Sequence, residues 1–136
     1  METTRTVIDT DILIDLLRNV KKVVAFLTEI EERGSLLSTT VINAFELHYG
    51  AHKSREREQN LLAARKLLNR LILLPLELRS AEIAGRIYAE LETKGQAIGL
   101  RDALIGAITL KRGFTIVTRN VEHFQKITGL TVIKAP

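Results

Sequence analysis

Short apolar segments alternate with helical segments along the whole chain of 136 residues. Most of these segments show no polar alternation, which is typical of strands that are covered on both faces. They are residues 4–8, 36–38, 72–76, 115–118 and 131–133. Strands of this kind separated by helices predict an α/β sandwich with a short, mainly parallel central sheet.

The segments between these strands carry apolar residues at helical spacing. Helices are predicted over residues 12–18, 21–33, 41–49, 55–71, 80–94, 100–112 and 121–127. Asp11 is the expected N-cap of the first helix, Ser80 that of the fifth, and Thr39 or Thr40 that of the third. Because no repeat or linker interrupts the pattern and only two prolines occur, residues 1–136 are predicted to form a single domain.

The composition excludes several classes of protein. Hydrophobic residues make up 46% of the chain, which is too many for a disordered protein. The absence of cysteine excludes a disulfide scaffold and a cysteine zinc site, and it is compatible with the cytoplasm. The apolar runs are far shorter than the roughly 20 residues of a membrane span. Residues 1–11 are polar and acidic, which is unlike a signal peptide, so no membrane association is expected.

The net charge of +4 is unevenly distributed. Residues 1–50 carry five basic and eight acidic groups, whereas residues 51–70 and 101–136 each carry six basic and two acidic groups. A solvated helix face or a phosphate-binding surface would each explain a basic stretch. Aromatic residues make up only 4% and do not alternate along strands, so any nucleic acid is expected to be bound mainly through its backbone.

Three acidic residues occupy positions where burial is expected. Asp9 directly follows the first strand, Glu46 lies in an apolar helix, and Asp102 lies in the first turn of another. Taken singly, each acid has a structural explanation. Asp9 would be a helix cap, Glu46 an exposed helix residue, and Asp102 a partner of the helix dipole. Together with Asn120, which follows the fourth strand, they converge on the carboxyl edge of the predicted sheet, where α/β folds bind ligands.

A cluster of buried carboxylates needs a proton or a cation to relieve its repulsion. Several oxygen ligands, without cysteine or a histidine cluster, suit Mg²⁺ or Mn²⁺ better than Zn²⁺. Such an ion activates water and stabilises negative charge on a phosphate. The acids therefore indicate a divalent-metal site, and the basic stretches would supply a surface for a phosphate backbone.

Four motifs follow one another in a recognisable order. They are VIDTDILID at residues 7–15, AFELHYG at 44–50, GLRDALIGA at 99–107 and IVTRNVEHF at 116–124, followed by GLTV at 129–132. In this order and spacing the chain resembles PIN-domain ribonucleases over essentially its whole length. Its size is similar to that of the VapC toxins of VapBC toxin–antitoxin pairs, a branch of that family.

The resemblance implies a PIN-like α/β/α sandwich and an endoribonuclease that depends on Mg²⁺ or Mn²⁺. Asp9, Glu46 and Asp102 match the catalytic, metal-binding acids of the family. Asn120 stands where many members have a fourth aspartate, and its neutral oxygen would bind the metal weakly or through water. The supporting residues would be Thr10, Asp11 and Thr118. Further implications are an RNA substrate, a VapB-type antitoxin as partner, a homodimer and a cytoplasmic location.

Basic residues near these motifs are predicted to contact the RNA backbone. They are Arg101, Arg119, Lys53 and Arg55. The three histidines, His48, His52 and His123, are expected to be surface or packing residues. The apolar helices over residues 41–49 and 61–71 are candidates for the surfaces that bind the antitoxin or a second copy.

Two other functions remain open from the sequence. Asp9-Thr10-Asp11 also matches the DxD motif of a HAD-type phosphotransferase. That family additionally needs a later lysine and an acidic pair after another strand. After the strand that ends at Thr118 the chain has Arg119-Asn120, which is not an acidic pair. Alternatively, the chain is a catalytically weak or inactive module that binds nucleic acid or a protein, an interpretation favoured by the asparagine at position 120.

Overall fold

The computed structural model describes residues 5–136, which form a five-stranded sheet flanked by seven helices. The strands are β1 (Arg5–Ile8), β2 (Leu36–Thr40), β3 (Ile72–Leu74), β4 (Thr115–Thr118) and β5 (Thr131–Lys134). The helices are α1 (Thr10–Leu17), α2 (Lys21–Glu32), α3 (Val41–Lys53), α4 (Arg57–Asn69), α5 (Leu78–Thr93), α6 (Leu100–Arg112) and α7 (Val121–Gln125). All neighbouring strands pair in parallel, in the order β3-β2-β1-β4-β5. This confirms the predicted α/β class.

Both faces of the sheet are covered, because successive strand residues point to opposite sides. Val7 and Ile116 belong to a core formed with α5, α6 and α7, whereas Ile8 and Val117 belong to a core formed with α1 to α4. All four side chains are fully buried. The strands are therefore apolar without alternation for the predicted reason, which is that helices cover both faces of the sheet. Among residues 5–136, no helix combines the length and the apolarity that crossing a bilayer requires.

The strand order reverses beside β1, since β2 and β3 lie on one side of it and β4 and β5 on the other. The backbone N–H of Asp9 donates to the carbonyl of Val117 at 3.0 Å, so the ends of β1 and β4 are joined. In open parallel sheets the crevice beyond such a reversal is the usual ligand site. Helices α1 and α3 begin directly after β1 and β2, and their N-termini border the same crevice.

The start of α1 differs from the prediction. The helix begins at Thr10, and its N-cap is Asp9 rather than Asp11. The Asp9 carboxylate accepts from the N–H of Thr10 at 2.8 Å, whereas Asp11 lies in the first turn and accepts from the N–H of Ile12 at 2.9 Å. The prediction failed because the link between β1 and α1 is only one residue long.

The start of α5 also differs, because its N-cap is Glu77 rather than Ser80. The Glu77 carboxylate accepts from Lys111 at 2.8 Å and from Arg112 at 2.9 Å, both at the end of α6. These ion pairs lower the pKa of Glu77, with the hydrogen bond from Lys111 as the largest cause. Helix α5 thus begins at Leu78, two residues before the predicted cap, and its N-cap residue is tied to the end of α6.

Helix α6 and strand β4 have the predicted bounds, and several other boundaries shift by a few residues. Strand β3 ends at Leu74, before Pro75, which has no N–H to continue the ladder. Helix α3 continues to Lys53, and α4 begins only at Arg57, so Arg55 lies in the turn between them. Residue 4, the predicted first residue of β1, lies outside the described part of the chain.

Candidate active site

Asp9 lies at the centre of the crevice with only 3% of its surface exposed. Its Oδ1 accepts hydrogen bonds from Thr10 N at 2.8 Å and from Asn43 Nδ2 at 3.2 Å. Its Oδ2 accepts from the hydroxyl of Thr118, the last residue of β4, at 2.7 Å. The carboxylate is therefore held in a fixed orientation by groups from α1, α3 and β4.

Glu46 approaches from α3 and is half-buried. Its Oε1 accepts a short hydrogen bond from the hydroxyl of Thr10. The Thr10 hydroxyl in turn accepts from Asn43 Nδ2 at 2.8 Å. Thr10 and Thr118, two of the predicted supporting residues, thus each hold one of the predicted acids.

Asp102 approaches from the first turn of α6 and is buried. Its Oδ2 accepts from Asn120 Nδ2 at 3.1 Å and lies 2.9 Å from His123 Nδ1. Asn120 is itself oriented by a hydrogen bond from its N–H to the Thr118 hydroxyl at 2.9 Å. Asp102 and Asn120, predicted to act together, are therefore neighbours in the structure.

The prediction that His123 has only a surface or packing role is wrong, because its ring nitrogen bonds Asp102. His48 and His52, at half-buried and exposed positions of α3, show no such contact in the described part of the chain. The signal for His123 was its spacing, since a residue three positions after Asn120 at the start of a helix is its neighbour in space.

Arg101 occupies the space between the three acids. Its guanidinium donates to Asp9 Oδ1 at 2.9 Å, to Glu46 at 2.6 and 2.7 Å, and to Asp102. Burial opposes its charged form, but the hydrogen bond to Glu46 and the attraction of Asp9 outweigh burial and raise the pKa of Arg101. The sequence predicts a contact of Arg101 with RNA; the structure shows it as the counter-ion of the acidic cluster, which is defined as Asp9, Glu46 and Asp102.

Arg119 lies outside the acidic cluster. It forms an ion pair with Asp15, approaches Asp11 at 4.0 Å, and donates to the carbonyl of Pro136 at 2.8 Å. The pKa of Asp11 is raised, chiefly by burial and further by the negative charge of Asp9. The hydrogen bond from the N–H of Ile12 and the charges of Arg119 and Arg101 lower it, but they do not outweigh burial. Asp11 therefore borders the cluster but makes no hydrogen bond to it among the described residues.

The other predicted RNA contacts lie farther along the chain. Lys53 ends α3 and is exposed, and Arg55 is exposed in the turn that follows. Both lie at the end of α3 that is remote from the carboxyl edge of the sheet. Of the four predicted basic residues, Arg101 thus lies inside the acidic cluster, Arg119 pairs with acids beside it, and Lys53 and Arg55 lie at the far end of α3.

Sequence reasoning missed Asn43, which is fully buried. Its side-chain oxygen accepts from the hydroxyl of Thr40 at 2.7 Å, and its amide N–H groups reach Asp9 and Thr10. Thr40 and Asn43 form a capping box at the start of α3. The pattern T-x-x-N at residues 40–43 was the available signal. Asn43 both caps the start of α3 and donates a hydrogen bond to Asp9.

Replacing Asn43 by alanine is expected to lower the free energy of unfolding by about 2–3 kcal/mol, because buried acceptors and donors lose their partners. Chemical denaturation measures this loss. Asn60→Ala is the matched control, since Asn60 is exposed and its side chain bonds only the Ser54 hydroxyl among the described residues. Its expected effect is within about 0.5 kcal/mol. Equal losses in the two variants would contradict the assigned role of Asn43.

The acidic cluster, with Asn120 beside it, fits Mg²⁺ or Mn²⁺ by the chemistry of its donors, which are carboxylate oxygens and the amide oxygen of Asn120. Within residues 5–136, however, no three His, Asp or Glu side chains are placed so that they could hold a metal ion together. Arg101 accounts for the difference, because carboxylates that face a guanidinium stand farther apart than ligands at roughly 2.0–2.6 Å from one ion. The residues present suit a cation, and in this structure the guanidinium is that cation.

The chain is similar to known proteins over most of its length. The PIN domain family model matches residues 6–130. The chain is 35% identical over 98 residues to the tRNA(fMet)-specific endonuclease VapC of Salmonella typhimurium, covering 72% of this chain and 74% of that protein. It is 29% identical over 123 residues to ribonuclease VapC2 of Haemophilus influenzae, covering 90% and 92%.

The fold has close counterparts among solved structures. In the crystal structure of VapBC2 from Rickettsia felis bound to a DNA fragment from their promoter, one chain superposes with a TM-score of 0.89 at 26% identity. The match covers 98% of this chain and all of that one. A PIN-domain match over nearly the whole chain decides against the HAD-type alternative. The chain belongs to the PIN-domain family, and within it to the VapC group.

Proposed function

We propose that this chain is an endoribonuclease that depends on Mg²⁺ or Mn²⁺ and acts as the toxin of a toxin–antitoxin pair. The observation that carries the proposal is the acidic cluster itself. Three carboxylates, from the link between β1 and α1, from α3 and from α6, face one cation at the reversal of the strand order. The related proteins named above are called ribonuclease and endonuclease VapC, which supports RNA as the substrate.

Asp9, Glu46 and Asp102 would hold the ion, with the Asn120 oxygen binding weakly or through water. When bound, the ion supplies an activated water and stabilises negative charge on the phosphate that is cut. The residues behind the acids fix their orientation: Thr10, Asn43 and Thr118 bond Asp9 or Glu46, and His123 bonds Asp102. Outer partners of this kind typically change metal affinity or activity by about 10- to 100-fold.

Arg101 would have two roles in turn. In the structure it neutralises the acidic cluster. When a divalent ion takes over the carboxylates, the guanidinium needs another anionic partner, and a phosphate of the RNA backbone matches its planar set of donors. Its side chain is 35% exposed, so it can turn towards such a backbone without unfolding the helix. Arg119, Lys53 and Arg55 are the proposed contacts to more distant phosphates.

The proposed partner is a VapB-type antitoxin, supported by the VapBC complexes whose chains share this fold. A homodimer and a cytoplasmic location are proposed on the same basis. Co-expression with a cognate VapB-type antitoxin tests the partner: a stable complex that suppresses RNA cleavage is expected. Unimpaired cleavage in the presence of that antitoxin would contradict this part of the proposal.

Removal of divalent ions is expected to abolish RNA cleavage. Total RNA incubated with the purified protein should be cut in Mn²⁺ or Mg²⁺, remain intact in EDTA, and be cut again when Mn²⁺ is added in excess. Cleavage that persists at full rate in EDTA would refute metal dependence. Binding without cleavage of any RNA in Mn²⁺ would favour the alternative of an inactive binding module.

A further inference from the structure

Two aromatic side chains on α3 are exposed without contributing to either core. Phe45 has 66% and Tyr49 has 55% of its surface exposed. The chain has six aromatic residues, and the other four are buried or half-buried. They are Phe26, Tyr88, Phe114 and Phe124. Burial in the fold therefore does not account for the two aromatic residues on α3.

These two rings form an ordered surface with a lysine. Phe45 and Tyr49 are one turn apart, with ring centroids separated by 6.0 Å and planes inclined by 18°. One turn further, Lys53 Nζ lies 5.2 Å from the centroid of the Tyr49 ring and 3.4 Å from its hydroxyl. We call Phe45, Tyr49 and Lys53 the aromatic ladder.

The aromatic ladder runs alongside the acidic cluster. Glu46 follows Phe45 directly in the chain and lies three residues before Tyr49, so it is a neighbour of the ladder on the helix surface. At its other end the ladder leads into the basic stretch of residues 51–70, which carries six basic and two acidic groups. A strand of RNA whose phosphate lies at the acids would extend over this surface.

The chemistry of the ladder matches nucleotides. Aromatic faces stack on bases of any sequence, and a neighbouring cation contributes to binding the backbone. An aliphatic surface, which could contact another copy, is exposed elsewhere, around β3 and the start of α5. Its members include Leu73, Leu76 and Leu78. The positive charge of Lys53 at the end of the ladder complements a phosphate.

We propose that Phe45 and Tyr49 form a stacking platform for unpaired bases next to the bond that is cut, and that Lys53 contacts the adjoining phosphate. The platform rests on the proposed function, because it places those bases relative to the acidic cluster. It adds base stacking to the backbone contacts that the sequence suggests. Phe45 and Tyr49 are then positioning residues that select which bond reaches the acids.

The test uses a short single-stranded RNA of mixed sequence that carries one 2-aminopurine, whose fluorescence falls when it stacks. Binding is measured in EDTA, so that the RNA stays intact. The wild-type protein should quench the fluorescence. The double variant Phe45→Leu/Tyr49→Leu, which keeps apolar bulk but lacks π faces, should lose the quenching and bind about tenfold more weakly. The variant Phe45→Trp/Tyr49→Phe should restore both.

Matched lysine variants test the phosphate contact. Lys53→Ala should weaken binding and reduce its salt dependence by about one ion. Lys22→Ala, which changes an exposed lysine on α2, should do neither. Thermal melting confirms that each variant is folded. Unchanged binding and quenching in the double leucine variant would overturn the proposal.

Two further measurements separate the possible outcomes. The oligomeric state distinguishes a stacking platform from an interface between copies, and RNA cleavage distinguishes failure of the platform from failure of the proposed function. If the double leucine variant turns a dimer into a monomer in sedimentation, the surface is an interface between copies and the proposal is wrong. If the wild-type protein quenches the RNA but does not cut it in Mn²⁺, the proposed function fails while the platform stands. If it cuts RNA and the leucine variant binds and cuts as the wild-type protein does, the platform fails while the function stands.

Discussion

Replacing Asp102 by asparagine is expected to lower the rate of RNA cleavage by at least about 100-fold. The change removes one negative charge from the acidic cluster, and the loss of several kcal/mol of transition-state stabilisation corresponds to this factor. Rates measured in Mn²⁺ with one RNA substrate test the expectation. Asp9→Asn should reduce the rate similarly but also destabilise the fold, because the Asp9 carboxylate accepts hydrogen bonds from β4 and α3.

Glu82→Gln is the control for these variants. Glu82 is exposed on α5, where it pairs with Arg79, and it makes no contact with the acidic cluster among the described residues. Its removal should leave the rate within about twofold, in line with a surface substitution. Full activity of Asp102→Asn would show that the carboxylates do not carry the reaction.

Replacing Arg101 by glutamine should have opposite effects without and with a divalent ion. In EDTA the three carboxylates lose their counter-ion, and the free energy of unfolding should fall by about 2 kcal/mol; this is below the range for a fully buried pair because Arg101 is partly exposed. With Mn²⁺, the loss of a competing positive charge should make the ion bind about tenfold more tightly. The rise in melting temperature caused by Mn²⁺ should therefore be larger than in the wild-type protein.

Calorimetric titration with Mn²⁺ and thermal melting measure both effects. Arg79→Gln is the matched control, since Arg79 pairs with Glu82 on the surface. If Arg101→Gln bound Mn²⁺ more weakly than the wild-type protein, Arg101 would assist the metal site rather than compete for it. Cleavage is a separate readout, and it should fall if Arg101 also contacts the RNA backbone.

Much of the fold follows from local patterns in the sequence. The apolar strands predict a sheet covered on both faces, and Val7 and Ile8 do point into different cores. Helix α6 and strand β4 have the predicted bounds, because their apolar residues and the glycine at position 113, with φ of 69°, mark them locally. The cap of α1 was missed because the connection from β1 is only one residue long. The cap of α5 was missed because Glu77 makes no side-chain capping hydrogen bond and is not one of the residue types that favour a cap.

The candidate site was only partly predictable. Strand ends and motif order indicate Asp9, Asp102 and Asn120, because position in a parallel sheet determines where they point. The sequence could not reveal that Arg101 turns inwards, since its partner Asp9 is 92 residues away. For His123 and Asn43 the local patterns, a spacing of three from Asn120 and the T-x-x-N capping box, indicate a neighbour or a helix start but not the hydrogen bonds to acids on other elements.

The side chains that form and hold the acidic cluster come from distant parts of the chain. Thr118 and Asp9, which share a hydrogen bond, are 109 residues apart, and Arg101 and Glu46 are 55 apart. During synthesis, a growing chain therefore gains the hydrogen bond that orients the Asp9 carboxylate only after β4 has emerged from the ribosome and paired with β1. A chain that ends before β4 would lack this hydrogen bond.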